Sequence, residues 1–307
     1  MNNIDSVNMT NIDSVNWMTK LPLDVRQRKL SQLVLPATHD SGAYQIDFNH
    51  SIPTGNKLLR VAYAISRWVK KVRSIISNWT VTQHHSIQKQ LEIGVRSFDF
   101  RVSYHSVDKK FYLTHTFNCV PLETALDEIK EFMQKHPGEA IILHSKPDWE
   151  HRDGMQTYLP LVQEKLGDLL CLAPKTFEEI PSLDQMAGKR IVFCCDESSP
   201  VSWDPTWFSS NWDDLSDIGE KRKRLDEKVK VCAHQAGKMN GLLFTLTPQT
   251  KDVVRGFFSS KNSLQKVNVA IQDLIPEYLD KMENVTEVVV DFMTKDVASA
   301  IICRNYA

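Results

Sequence analysis

Short apolar runs alternate with amphipathic stretches along nearly the whole chain, and this alternation limits the possible folds more than any other feature of the sequence. Strands are predicted at 32–35, 95–102, 111–114, 140–144, 190–195, 242–246 and 287–292. Several of these are unbroken apolar runs, the pattern of strands buried on both faces. Helices are predicted at 86–93, 121–135, 156–166, 217–229, 263–278 and 294–303. In PLETALDEIKEFMQK, Leu122, Ala125, Leu126, Ile129, Phe132 and Met133 recur every three to four residues with charged residues between them. Pro121 suits the first helical turn and Pro137-Gly138 ends the helix. Repeated strand–helix alternation predicts a parallel α/β fold, and at 307 residues a closed barrel fits. No Gly-rich phosphate loop follows any strand, which argues against a doubly wound nucleotide-binding sheet.

The first sixteen residues repeat NIDSVN at 3–8 and 11–16. Two copies of a polar hexamer cannot build a stacked architecture, so residues 1–16 are expected to form a disordered polar leader. No Gly/Ser- or Pro-rich linker divides the rest, and 17–307 is expected to be a single domain. Hydrophobic residues make up 42% and charged residues 24%, which excludes wholesale disorder and a fibrous chain. A net charge of -1 argues against a general nucleic-acid binder. The six cysteines contain no C-x-x-C pair, so no zinc or redox motif is expected. With no signal-peptide pattern and no apolar run long enough to span a bilayer, the expected location is the cytoplasm.

Several predicted strands end in titratable residues. His39 and Asp40 follow the first strand in LPATHDSG, and Asp99 and Arg101 alternate in GVRSFDFRV and so share a face. His115 ends FYLTHTF, His144 and Lys146 end AIILHSKPDW, and Asp291 ends EVVVDFM. In a barrel these ends meet at one mouth, where active sites form. Two histidines can act as general base and general acid, an arginine can bind a phosphate, and aspartates can orient the imidazoles. The combination suits attack on a phosphodiester.

These motifs resemble the phosphatidylinositol-specific phospholipase C X-domain-containing proteins, which are similar to bacterial phosphatidylinositol phospholipases C. The most specific pieces are NWMTKLP and LSQLVLPATHDSGAY, followed in order by QLEIGVRSFDFRV, LTHTF, GEAIIL, GKRIVF and LLFTLTPQTKDVVRG. The resemblance implies a TIM-like barrel, often irregular or incompletely closed. It implies cleavage of the glycerol–phosphate bond of phosphatidylinositol to diacylglycerol and a cyclic inositol phosphate. By motif position, His39 would be the general base and Asp291 its orienter. Arg101 would bind the phosphate, His115 would protonate the leaving oxygen, and Asp40 would support that acid step. Asp99 matches the family's aspartate beside the arginine, and Lys146 matches a lysine that contacts inositol. Arg101 stands where the calcium-dependent branch binds its metal, so no metal or other cofactor is expected. Asp196 lies near where the bacterial enzymes carry an inositol-contacting arginine, which puts the headgroup in question. Trp212 is either an aromatic floor for a ring or, the commoner case, a buried core side chain. The alternatives are a phosphodiesterase acting on another glycerophosphodiester or a sphingolipid, and a non-catalytic phosphoinositide-binding module.

The near-zero total hides one imbalance. No acidic residue lies between Asp47 and Glu92, a stretch that holds Lys57, Arg60, Arg67, Lys70, Lys71, Arg73 and Lys89. Its centre reads as a helix with aliphatic residues and Trp68 on one side and basic residues on the other. Such a helix suits the interface of an anionic membrane, with Trp68, Lys70, Lys71 and Arg73 as contacts. The plainer alternative is a barrel helix with a solvated basic face. A second cluster, KRKR at 221–224, is flanked by acidic residues and reads as a solvated helix face.

Overall fold

The computed structural model describes residues 12–50, 57–66, 68–147, 154–210, 212–248 and 263–306. Its frame is one sheet. In chain order the strands are β1 (Leu35–Thr38), β2 (Ser97–His105), β3 (Lys110–His115), β4 (Phe117–Pro121), β5 (Ile141–Pro147), β6 (Ile191–Cys194), β7 (Ser202–Trp203), β8 (Phe208–Ser210), β9 (Met239–Phe244) and β10 (Val285–Val290). Eight of them run parallel in the order β7-β6-β5-β2-β1-β10-β9-β8. Among the described residues no ladder joins β7 to β8, so the curled sheet is an incompletely closed barrel. The curl is measurable across the interior, where Phe208 on β8 lies 4.7 Å from the His144 ring on β5.

The helices are α1 (Leu23–Arg26), α2 (Lys57–Ser66), α3 (Lys70–Thr80), α4 (Ile87–Glu92), α5 (Leu122–Lys135), α6 (Tyr158–Leu166), α7 (Ile218–His234), α8 (Leu264–Gln272), α9 (Ile275–Leu279) and α10 (Lys295–Cys303). Strand residues alternate between two environments. Phe98, Phe100, Leu143, Phe193, Val288 and Val290 face outward and pack with Leu126, Ile129 and Phe132 of α5, Val162 of α6 and Ile301 of α10. Leu35, Ile142, Val192 and Met239 face inward at the lower end of the barrel, where Trp17, Met18, Leu30 and Leu33 plug it. Burying each such side chain contributes about 1.5–3 kcal/mol. Toward the C-terminal ends of the strands the interior turns polar, and the core gives way to a cavity.

Beneath the barrel, Arg96 and Glu139 form an ion pair with both side chains fully buried. Glu139 also accepts hydrogen bonds from the Met18 and Thr19 amides, at 3.2 and 2.9 Å, and from the Thr19 hydroxyl at 2.7 Å. The pair thereby sews the N-terminal segment to β2 and β5.

Several expectations change. Residues 12–16, placed in the polar leader, are packed: Ser14 is buried, its hydroxyl donates to the Glu92 carbonyl, and Arg96 donates to the Val15 carbonyl. Residues 1–11 lie outside the described residues, as do Arg67, residues 148–153 and the 249–256 part of the LLFTLTPQTKDVVRG motif. The first strand starts three residues later than expected, at Leu35 rather than 32. The third strand is not a barrel stave. Four residues, 106–109, separate β2 from β3, far fewer than a parallel crossover needs, so β3 folds back antiparallel and pairs with β4 as an arm. The basic stretch forms α2 and α3 rather than one helix, with Val69 extended at the start of α3. The 263–278 helix likewise divides into α8 and α9. In KRKR, Lys221 is fully buried rather than solvated, while Arg222, Lys223 and Arg224 are exposed.

Candidate active site

The site forms where β1, β2, the β3 arm and β10 end together. The ladder continues one residue past β1, with the His39 amide donating to the Val290 carbonyl at 3.2 Å. Adjacent strand residues point to opposite faces, yet His39 and Asp40 both reach the mouth. Asp40 manages this by adopting a left-handed backbone, φ 39°, which costs a non-glycine residue about 1–3 kcal/mol. Its surroundings hold it there. The Asp40 carbonyl accepts from Thr82 Oγ1 at 3.0 Å and from the Ala43 amide at 2.8 Å, and the Ser41 amide donates to the Asp99 carbonyl at 2.9 Å. Gln83 Nε2 donates to the His39 and Val290 carbonyls at 3.0 and 3.1 Å, tying β1 to β10.

Asp99 and Arg101 occupy alternate positions of β2 and both line the cavity, as their spacing predicts. His115 arrives on the β3 arm. Its Nδ1 donates to the Thr80 carbonyl at 2.8 Å, at the end of α3, and this turns Nε2 toward the mouth.

One carboxylate organises the set. Asp40 Oδ1 lies 2.7 Å from Arg101 Nε, while Oδ2 lies 3.3 Å from His39 Nε2 and 3.4 Å from His115 Nε2. Asp291 Oδ1 is 2.9 Å from His39 Nδ1. The two imidazole centroids are 6.4 Å apart. Burial works against a charge on His39, but the Asp40 and Asp291 carboxylates outweigh it and push its pKa up to about 9. Burial holds the Asp291 carboxyl above the usual carboxylate range even with His39 beside it. Asp99 lies below that range: burial opposes the shift, and Lys146 and Arg101 overcome it.

The cavity, of about 160 Å³, opens beside these groups. Lys146, Asp196 and Trp212 all line it. Lys146 Nζ is 4.0 Å from Asp99 Oδ1. Trp212 is not a buried core residue: it is 48% exposed and lies 5.1 Å from the His39 ring, tilted by 31°. Deeper in, His144 Nε2 lies 2.7 Å from Glu287 Oε1, which also accepts from Ser97 Oγ at 2.8 Å. Sequence reasoning missed Glu287, although one acidic residue inside the apolar run TEVVV was a signal of an inward polar position. Trp68, Lys70, Lys71 and Arg73 lie on or beside α3, outside the cavity lining. Trp68 is 88% exposed, and Arg73 lies over the Phe48 ring at 4.4 Å.

His39, Asp40 and Asp99 bring three donor atoms within 4.8 Å of one another, a set able to hold a cation. Arg101 is paired with Asp40 at that place and supplies a fixed positive charge there.

Residues 74–194 match the family model described as phosphatidylinositol-specific phospholipase C, X domain. Along 95% of the chain the sequence is 27% identical to PI-PLC X domain-containing protein 2 from Mus musculus, covering 88% of that protein. The chain is similar to the PI-PLC X domain-containing proteins. PI-PLC X domain-containing protein 3 from Mus musculus is 24% identical over 95% of the chain and 93% of its own length. The fold is that of a phosphatidylinositol-specific phospholipase C from Listeria monocytogenes, with a TM-score of 0.70 and 18% identity over 95% of this chain and 99% of that one. A phosphatidylinositol-specific phospholipase C from Staphylococcus aureus aligns with a TM-score of 0.66 and 17% identity, over 97% and 99%. The PI-PLC X domain match contains Asp99, Arg101, His115 and Lys146, while His39, Asp40, Asp196, Trp212 and Asp291 lie outside its bounds.

Proposed function

We propose that the protein is a metal-independent phosphodiesterase of the phospholipase C type that cleaves the glycerol–phosphate bond of phosphatidylinositol or a related lipid. The observation that carries this reading is the convergence of His39, His115 and Arg101 on Asp40 at the rim of one cavity. His39, held by Asp291, takes the proton from the ring hydroxyl next to the phosphate. That oxygen attacks phosphorus while Arg101 balances the negative charge building on the phosphoryl oxygens. His115 gives its proton to the departing glycerol oxygen. The products are diacylglycerol and a cyclic inositol phosphate. Lys146, Asp196 and Trp212 bind the headgroup. Asp196, an acceptor where the bacterial enzymes have an arginine, favours a second reading in which the same groups cleave another glycerophosphodiester or a sphingolipid through an activated water.

Peripheral attachment to an anionic membrane fits the same reading. Val61, Ile65, Trp68 and Val69 are exposed large apolar residues, and Lys70 and Lys71 stand exposed beside them. Among the described residues no helix is long and apolar enough to cross a membrane.

The test is incubation with a phospholipid panel, wild type beside His39→Ala and His115→Ala, with product analysis. A cyclic inositol phosphate that only the wild type forms is expected. A linear phosphate product supports the second reading. Lipid binding without turnover in the wild type refutes both and leaves a headgroup-binding module.

A further inference from the structure

Trp212 lies in the 212–217 connection from β8 to α7, beside the side of the barrel where β7 and β8 are unpaired. A half-exposed indole gains little from one imidazole face, so something else must keep it there. Its neighbour Asp213 is partly buried, its side chain 9% exposed, and each of its carboxylate oxygens takes a lysine. Lys221 Nζ donates to Oδ1 at 2.6 Å and Lys228 Nζ to Oδ2 at 3.0 Å. The two lysine side chains are 1% and 3% exposed. Lysine is almost never buried unless paired, and here two share one acid. They stand seven residues apart on α7, two turns along one face. Burial pushes both ammonium groups below the usual lysine range, against the pull of Asp213.

Two hydrogen bonds are among the further ties of the connection. Asp217 accepts from the Glu220 amide at 2.9 Å and so caps α7, and the Leu215 carbonyl accepts from the Thr247 amide at 2.8 Å, just past β9. Neither bond reaches Trp212 itself. Of these contacts, only the Asp213 pair adjoins the indole in sequence.

We propose that Asp213 is a positioning residue: gripped by Lys221 and Lys228, it holds Trp212 against the His39 imidazole and so fixes that ring relative to Arg101. A small displacement of a reacting group costs turnover steeply, because the aligned geometry is lost. The effect on turnover rests on the phosphodiesterase reading. The effect on Trp212 does not.

The test uses protein carrying 5-fluorotryptophan, with the Trp212 resonance among the seven tryptophans assigned by Trp212→Phe. In Asp213→Asn the Trp212 fluorine signal is expected to move toward that of a water-exposed indole and to gain a solvent isotope shift, while the other six stay in place. Lys228→Met leaves the Asp213–Lys221 pair and should move the same signal less. If Asp213→Asn does not fold, Lys228→Met decides. On a soluble inositol phosphodiester, Asp213→Asn and Trp212→Leu should each lower kcat on the order of ten-fold, and each should also raise KM, because the indole contacts the headgroup. The double variant should lose no more than either single one. A Trp212 signal unmoved in both folded latch variants, or kcat losses that multiply in the double variant, overturns the proposal. If the wild type turns over no phosphodiester, the proposed function fails and the fluorine signals still decide the latch.

Discussion

In Asp291→Asn, His39 should lose much of the proton affinity that its two carboxylates confer. Its pKa stands at about 9 against an ordinary 6.5. At about 1.4 kcal/mol for each tenfold change in affinity, this favours the imidazolium by roughly 3 kcal/mol. Burial on its own would push the other way, so the rise is the excess of Asp40 and Asp291 over the cost of desolvation. Asparagine keeps an acceptor for Nδ1 and removes the charge. With one of two adjacent carboxylates gone, the midpoint should fall by about 1–3 pH units. Because the pKa is raised on folding, the linked stability is fully present below pH 6.5 and is lost as pH rises through about 9. The advantage of wild type over Asp291→Asn in urea should therefore be largest near pH 6 and shrink toward pH 10. Nitrogen-15 imidazole spectra, with His39 assigned by His39→Ala, give the midpoints directly. A base must lose its own proton before it accepts another, so kcat/KM should climb with pH toward about 9, and earlier in the variant. A wild-type midpoint at or below 6.5, or one that Asp291→Asn leaves in place, refutes this account of the site's electrostatics.

Other perturbations reach other parts of the molecule. Glu139→Ala strands a fully buried guanidinium and should cost about 3–5 kcal/mol in denaturant unfolding. Arg101→Lys keeps the charge but loses the planar guanidinium, and kcat on a soluble substrate should drop by about one to two orders of magnitude. Reversing the charges of Lys70, Lys71 and Arg73 should weaken sedimentation with anionic vesicles at least roughly ten-fold, at about 1 kcal/mol per basic residue removed, and leave hydrolysis of a soluble substrate intact. Chelator treatment should leave turnover unchanged, and activity abolished by chelator and restored by calcium would contradict the place given to Arg101.

Much of the site could be read from the sequence because barrel geometry converts strand ends into one location. His39, Asp99, Arg101 and Asp291 needed only the correct strands and the alternation of side chains. His115 reaches the mouth on an antiparallel arm, so its place there does not follow from the strand-end pattern. Three features stayed hidden. The left-handed Asp40, which brings two consecutive residues to one side, depends on bonds from Thr82, Ala43 and Ser41 rather than on its own residue type. β7 and β8, two and three residues long, are too short to show a period. Lys221 looked solvated because a charge run displays only its sequence neighbours, whereas its partner Asp213 lies eight residues earlier. The start of β1 was misplaced because the apolar run at 32–35 precedes a proline, which looks like an end to pairing. In fact Pro36 pairs within the strand, and its carbonyl accepts from the Arg96 amide at 3.0 Å.

The unpaired side between β7 and β8 gives the barrel a seam. A closed ring of ladders has a fixed circumference, because widening it anywhere breaks hydrogen bonds. Here the other junctions are locked by ladders, whereas β7 runs into β8 through the short 204–207 turn with no ladder between them among the described residues. The girth of the cavity is therefore not set by a ladder at that place, while His39, Arg101 and Asp291 are carried on strands that ladders lock together. The strands that border the seam are so short that they offer a neighbouring molecule almost no edge to pair with.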